Sequence, residues 1–342
     1  MLLYYQILLL TSFVFAIFLK NRALTLIIPL LLCFVIVGFR DVGIGKDDLD
    51  YLDFFIRSEN YFDFNHVFSG EFEPLFSAIV VIAVKVFEPE KVFILITFIA
   101  LGLVTYCYQR IDKVNYNLFV FYYLLTAIYW VGFHHIRFGI ALPLYILSLH
   151  YVSESKIKAI SIYAASLLMH YSSILMFPVF FYKYLRKSWV IPGILLSYCL
   201  WFFDVFKSLV TIIVGFGVLP SRTLELFYSD HVFSISPFQL GFVKMVAISV
   251  LSIYLYNGNY EKYIKSYSIV TMISISFSNM AIFSNRVAAF NMALEPIVMF
   301  SIFESFLKKR RSVTYIYFIP PFLYGVYLIY SVNVVSFSLE LS

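Results

Sequence analysis

Long apolar runs recur along the whole of this chain, and they constrain its fold more than any other feature. Of 342 residues, 62% are hydrophobic and 13% are charged, and the mean hydropathy is +0.88. A soluble domain of this length cannot hide so much apolar surface. The runs do not alternate apolar with polar residues, as the strands of a membrane β-barrel do. The chain therefore reads as an all-α polytopic membrane protein. The candidate spans are Leu2–Leu19, Ala23–Phe39, Val92–Tyr108, Asn117–Phe133, Phe138–Tyr151, Ala159–Met169, Tyr171–Tyr184, Val190–Phe203, Leu240–Tyr256, Ile264–Met280, Val287–Phe303 and Val313–Tyr330. Leu2–Leu19 lacks a basic leader and a small-residue cleavage site, so it reads as the first span, not as a signal peptide. Several runs fall short of the roughly 20 residues that cross a bilayer, so loop residues complete them or the membrane thins.

Basic residues set the orientation. Lys308 to Arg311 is the strongest cytoplasmic marker, followed by Lys183, Arg186 and Lys187, then Lys156 with Lys158, Lys262 with Lys265, and Lys20 with Arg22. Arg110 and Lys113 join them only if one of the two apolar stretches between Glu73 and Arg110 fails to cross. The shorter, Pro74–Phe87, is assigned as re-entrant or interfacial, and Phe206–Val218 likewise. Twelve crossings with both termini outside then satisfy every basic cluster. The expected organisation is a single membrane domain over residues 1–342, with outer-facing loops at 40–73 and 219–239.

The remaining composition mainly excludes. Cys33, Cys107 and Cys199 all lie in apolar runs and make neither a disulfide framework nor a metal site. The net charge of +5 reflects the cytoplasmic clusters and gives no nucleic-acid footprint. No phosphate-binding glycine loop appears, which argues against a nucleotide-sugar donor, and no metal motif or cofactor signature is evident.

Polar residues at the margins of spans are costly in lipid unless used or paired. Nine of the twenty acidic residues fall between Arg40 and Glu73. Asp47 and Tyr51 are spaced to share a helix face, and Leu49, Leu52, Phe55 and Ile56 would turn toward lipid if this segment lies on the membrane. Arg137 stands at a helix start, where a guanidinium either anchors to headgroups or grips phosphate oxygens in a bidentate pair. His134 and His135 precede it, and only one of them can share its cavity. His170 ends a short run, as a cap or as a proton-transfer group. Arg286 reads as lying between two long spans. Arg222 opens the second outer loop, with Glu225 as a possible ion-pair partner. Glu295, just before Pro296, is either a functional carboxylate or an internally paired brace for the kink.

The order of these features resembles the EpsG-like branch of the Wzy-type polysaccharide polymerases. The resemblance is carried by Gly45-Lys46-Asp47 through Tyr51, Glu73-Pro74-Leu75-Phe76, Arg137 through Ala141, His170-Tyr171-Ser172-Ser173, and Asn285-Arg286. It covers about residues 1 to 310. Lys46 departs from the Thr or Ser common at that place. The resemblance implies a GT-C-related fold and a bacterial inner-membrane enzyme whose partners are an undecaprenyl-diphosphate-linked glycan donor and acceptor. A chain-length regulator and a flippase are further implied partners.

The residues suit that chemistry. A diphosphate leaving group needs cations where negative charge develops, and Arg137, Arg286 and Arg222 are the candidates. An acceptor hydroxyl needs a base, for which His170, Asp47 and Glu73 stand open, with His135 a weaker option, while Tyr51 and His135 are assigned to substrate binding. The transfer is expected to be inverting and metal-independent, at the outer face of the inner membrane. Two rivals remain: another lipid-linked transferase, such as an O-antigen ligase, and a polysaccharide transporter. A transporter commonly has repeated halves and mid-membrane polar sites; here no repeat is visible and the polar residues collect at one face.

Overall fold

The structure, a computed structural model, describes residues 22–45, 47–60, 67–68, 71–127, 132, 135–215, 235–256 and 258–306. The candidate spans Leu2–Leu19 and Val313–Tyr330, the 219–234 part of the second loop with Arg222 and Glu225, and His134 lie outside these residues. Within them every regular element is helical. The chain divides into two compact units: residues 1–173 with 309–342, and residues 174–308.

The first unit is built on α1 (Arg22–Gly38), α2 (Asp48–Asn60), α3 (Pro74–Ala83), α4 (Val92–Ile111), α5 (Tyr116–Thr126), α6 (Ile136–Tyr151) and α7 (Lys156–Met169). Twenty residues make α4 about 30 Å long, the thickness of the hydrocarbon core. It packs against α1, α5 and α6, while α6 also packs along α7. Ser155 caps α7 by accepting from the Lys158 N–H. The short helix α3 rests on α2 and α7. At ten residues it covers about 15 Å, half the hydrocarbon core of a bilayer.

An aromatic cluster holds α2 and α3 to α4. Phe54 and Phe72 meet edge to face at 4.7 Å, and Phe55 meets Phe93 at 5.1 Å. This corrects the expectation for Phe55, which is fully buried in that cluster. Leu49 and Ile56 do face outward. The acidic segment therefore packs on the helices through its aromatic face; burying Phe54 and Phe55 outweighs leaving either in water.

The second unit contains α8 (Val190–Phe202), α9 (Val205–Gly215), α10 (Leu240–Leu255), α11 (Glu261–Ser276) and α12 (Ala281–Phe306). Helices α10, α11 and α12 pack on one another, and α11 also packs on α8. The run Tyr171–Tyr184 is a 3₁₀ helix, unusually long for that geometry. Ser173, Met176, Val179 and Tyr182 are buried at strict spacings of three, as three residues per turn demand.

Two helical stretches, Pro89–Ile111 and Ala281–Ser305, are long and apolar enough to cross a membrane; the other apolar helices described are shorter. The observed helix α12 begins at Ala281, so Arg286 lies inside its second turn and not between spans, which corrects the sequence expectation. Ser284 donates to the carbonyl of Ser274 and ties this first turn to α11, which extends the helix beyond the apolar run.

Candidate functional site

Glu73 is the hub of the first unit's polar residues. It precedes α3, with Pro74 at the first helical position, where a missing N–H costs nothing. Its carboxylate does not cap that helix and is buried, 3% exposed. Arg137, in the first turn of α6, donates from Nη1 to Oε2. The Tyr171 N–H donates to Oε1 at 3.1 Å, and Nδ1 of His170 stands 3.8 Å from the same oxygen. Arg137 Nε in turn donates to the Tyr51 hydroxyl at 3.1 Å, and its guanidinium lies 4.8 Å from the Phe72 ring centre. Four separate elements thus bring Tyr51, Glu73, Arg137 and His170 to one ion pair. Charges this buried persist only with added hydrogen bonds, which Tyr51 and the Tyr171 amide provide. Burial pushes the Tyr51 phenol up, with Arg137 pulling it back down, so it stays protonated at neutral pH.

His170 ends α7 in extended backbone, its own N–H bound to the Ser166 carbonyl. The Ser172 N–H donates to its Nδ1 at 3.2 Å, which assigns the ring proton to Nε2. In that tautomer neither nitrogen is a ready proton acceptor. The Phe138 ring lies on the imidazole at 3.8 Å and fixes its plane. His170 is therefore placed to orient the Glu73 pocket.

A second pair joins the starts of α2 and α6 on a more open side. Asp47 Oδ2 lies 3.4 Å from His135 Nδ1, with side chains 31% and 27% exposed. A half-exposed imidazole beside a carboxylate is the group here best suited to taking a proton from an entering hydroxyl.

Sequence reasoning missed the group that holds these two helix starts in place. Asp48, next to Asp47, is 1% exposed and accepts a bidentate pair from Arg40, at 2.6 and 3.1 Å. Its Oδ2 also accepts from the Gly45 N–H at 2.7 Å. Arg40 Nη1 donates to the carbonyls of Val37 and Gly132, at 2.9 and 3.1 Å, and its guanidinium lies 5.0 Å from the Phe93 ring centre. The signal was Arg40 itself, an arginine closing an apolar span, which must be paired at that depth. Asp53, by contrast, is exposed and shares Arg57 with Glu71 in a surface network.

The second unit has its own intramembrane charge. Glu295 on α12 is buried and accepts both oxygens' hydrogen bonds from Lys244 Nζ on α10, at 3.1 and 2.9 Å. One turn along α12, Asn291 donates to Thr271, which is also hydrogen-bonded to Ser249. This is the internally paired reading of Glu295, with Lys244 as the unanticipated partner. Replacing Lys244 alone with methionine should lower stability by about 3–5 kcal/mol, since it strands the buried Glu295 carboxylate, whereas Lys244→Met with Glu295→Leu should recover most of the loss. Thermal unfolding in detergent measures both. Arg286 belongs to this unit, half-buried on α12.

The model of the EpsG family matches residues 23–340, nearly the whole chain. The chain belongs to the EpsG family. No curated protein and no solved structure matches it. EpsG proteins are Wzy-like polymerases, so this EpsG chain is a membrane protein of the polysaccharide-polymerase class, associated with glycosyltransferase-like activity. Within the EpsG chain, Asp47, Tyr51, Glu73, Arg137 and His170 come from separate segments and meet in one unit. Among the described residues no group of three His, Cys, Asp or Glu is placed to hold a metal ion.

Proposed function

We propose that this chain is a multi-pass enzyme of the bacterial inner membrane that polymerises undecaprenyl-diphosphate-linked repeat units at the outer face. In this reading it has twelve crossings, a GT-C-related fold and one membrane domain. The observation that carries the reading is the meeting of Arg137, Glu73, Tyr51 and the Asp47–His135 pair at the starts of α2, α3 and α6.

The reaction transfers the growing glycan from its carrier to the acceptor unit. The bond from the anomeric carbon to the diphosphate oxygen breaks, and its electron pair leaves with the diphosphate. A bond from the acceptor hydroxyl oxygen to that carbon forms, and the hydroxyl proton passes to a base. Arg137 is the cation where the leaving charge develops. Glu73, hydrogen-bonded to both Arg137 and the Tyr171 amide, holds the guanidinium in place and releases one of its faces to an incoming diphosphate. Tyr51 supplies an O–H beside the same group. The Asp47–His135 pair, partly open, takes the proton, while His170 keeps the pocket in shape. Attack from the side opposite the diphosphate inverts the anomeric centre. Arg286 and Arg222 are further diphosphate cations in this scheme. A chain-length regulator and a flippase are its expected partners.

Complementation of a polymerase-null strain tests the assignment. Asp47→Ala, Arg286→Ala and the charge-free pair Arg137→Met with Glu73→Leu should each leave single-unit glycans in place of a ladder, at normal membrane expression. A wild-type ladder from all three overturns the site.

A further inference from the structure

At one end of the second unit an aromatic surface stands beside a carboxylate, and the reaction scheme uses neither. Phe238, just before α10, stacks on Tyr198 of α8 with ring centres 5.3 Å apart. It is 65% exposed, so the ring face turned away from Tyr198 is open. Trp201, one turn further along α8, meets Phe238 edge to face at 5.8 Å. Two hydrogen bonds hold the segment before α10 in place. The Tyr198 hydroxyl donates to the Pro237 carbonyl at 3.3 Å, and the Ile235 N–H donates to the Ser278 carbonyl at 2.9 Å.

Asp204 lies in the turn between α8 and α9, and Asn279 in the turn between α11 and α12. The Asn279 amide donates to Asp204 Oδ1 and also to the Trp201 carbonyl, the latter at 2.7 Å. Among the described residues Asp204 is the one non-glycine with left-handed backbone, at φ +53°. That conformation is costly outside glycine, and an acid at the C-terminal end of α8 opposes the helix dipole. The carboxylate gains little in return. It is exposed, and neither its Oδ2 nor Asn279 Oδ1 has a hydrogen bond among the described residues. Strain of this kind points to a side chain kept for what it contacts.

We infer that this surface binds the polysaccharide itself, seating a sugar ring on Phe238 with its hydroxyls on Asp204 and Asn279. The inference rests on the polymerase reading above. The open ring face carries negative charge density, which favours C–H bonds laid on it. Beside it, the two free oxygens can only accept hydrogen bonds. The ligand must therefore join a flat patch of C–H bonds to a set of O–H donors. A pyranose does both, since axial C–H bonds make up one face and hydroxyls ring the edge. A lipid tail offers no donor, and a phosphate headgroup meets a carboxylate of like charge. The charge on Asp204 also makes its hydrogen bond to a hydroxyl one of the stronger kind. A growing chain held here between transfers stays on the enzyme, which raises its effective concentration for the next transfer. The surface thereby lengthens the product without entering the chemistry.

The test uses the full chain in nanodiscs. The probe is a carrier-free oligosaccharide released by partial acid hydrolysis from the source strain's own polysaccharide, and saturation-transfer NMR reads its binding. The wild type should bind it in the millimolar range, as one stacked ring and a few hydrogen bonds allow. Phe238→Ala should weaken binding about tenfold. Asp204→Gly relieves the left-handed backbone, so it should unfold no earlier than the wild type, yet it should also bind about tenfold less tightly. With purified lipid-linked repeat units, both variants should join the first two units at close to the wild-type rate and then give shorter chains. No glycan binding by the wild type, or unchanged binding in either variant, overturns the inference. Polymer formation is scored separately. Polymer of wild-type length from variants that bind as the wild type does sinks the surface and leaves the reaction standing. Binding that both substitutions weaken, without polymer from any repeat unit, supports the surface and sinks the reaction.

Discussion

Arg137→Ala is expected to abolish polymer formation and to destabilise the chain by about 3–5 kcal/mol, because it strands the Glu73 carboxylate in a buried site. Loss of activity alone would not separate chemistry from folding. The double variant Arg137→Met with Glu73→Leu removes both charges and should recover most of the stability, measured by thermal unfolding in detergent. It should still form no polymer from purified lipid-linked repeat units. If the double variant is both stable and active, Arg137 and Glu73 form a structural pair and the reaction scheme is wrong. Arg137→Lys is the finer probe. A lysine keeps the charge but loses the fork that reaches Glu73 and Tyr51 together, so stability should fall less and activity nearly as far.

The sequence exposed the oily frame and the polar residues, because lipid punishes unused charge whatever the tertiary arrangement. It therefore singled out Glu73, Arg137, His170 and Glu295, each on its own. Pairing was not legible. Glu73 meets Arg137 across 64 positions and Tyr171 across 98, and such separations leave no periodic trace. Lys244 escaped notice because a lysine early in an apolar helix reads as an interfacial anchor until a carboxylate faces it. Phe55 was misjudged for a related reason. In a membrane protein, lipid and protein core both accept phenylalanine, so hydrophobicity alone cannot tell an outward face from an inward one. The 3₁₀ period of Tyr171–Tyr184 was hidden in the same way, since nearly every residue of that run is apolar.

Asp47 and Asp48 should behave as opposites, although they are neighbours in the chain. Asp48→Ala removes the acceptor of the Arg40 fork and of the Gly45 amide, leaving a 2%-exposed guanidinium without its carboxylate. The expected loss is about 3–5 kcal/mol, and low expression or early unfolding should account for any missing polymer. Asp47 is 31% exposed and touches His135 at the more open side of the site, so Asp47→Ala should change stability by less than about 1 kcal/mol. Its activity should fall by about 100-fold or more, the usual contribution of a positioned general base. Asp47→Asn keeps the shape and removes the charge, so it should match the alanine variant in activity. Retained activity in a stable Asp47→Asn protein would transfer the base to another group. A stable, active Asp48→Ala protein would show that the Arg40 clamp, with its hold on the Val37 and Gly132 carbonyls, does not fix the starts of α2 and α6.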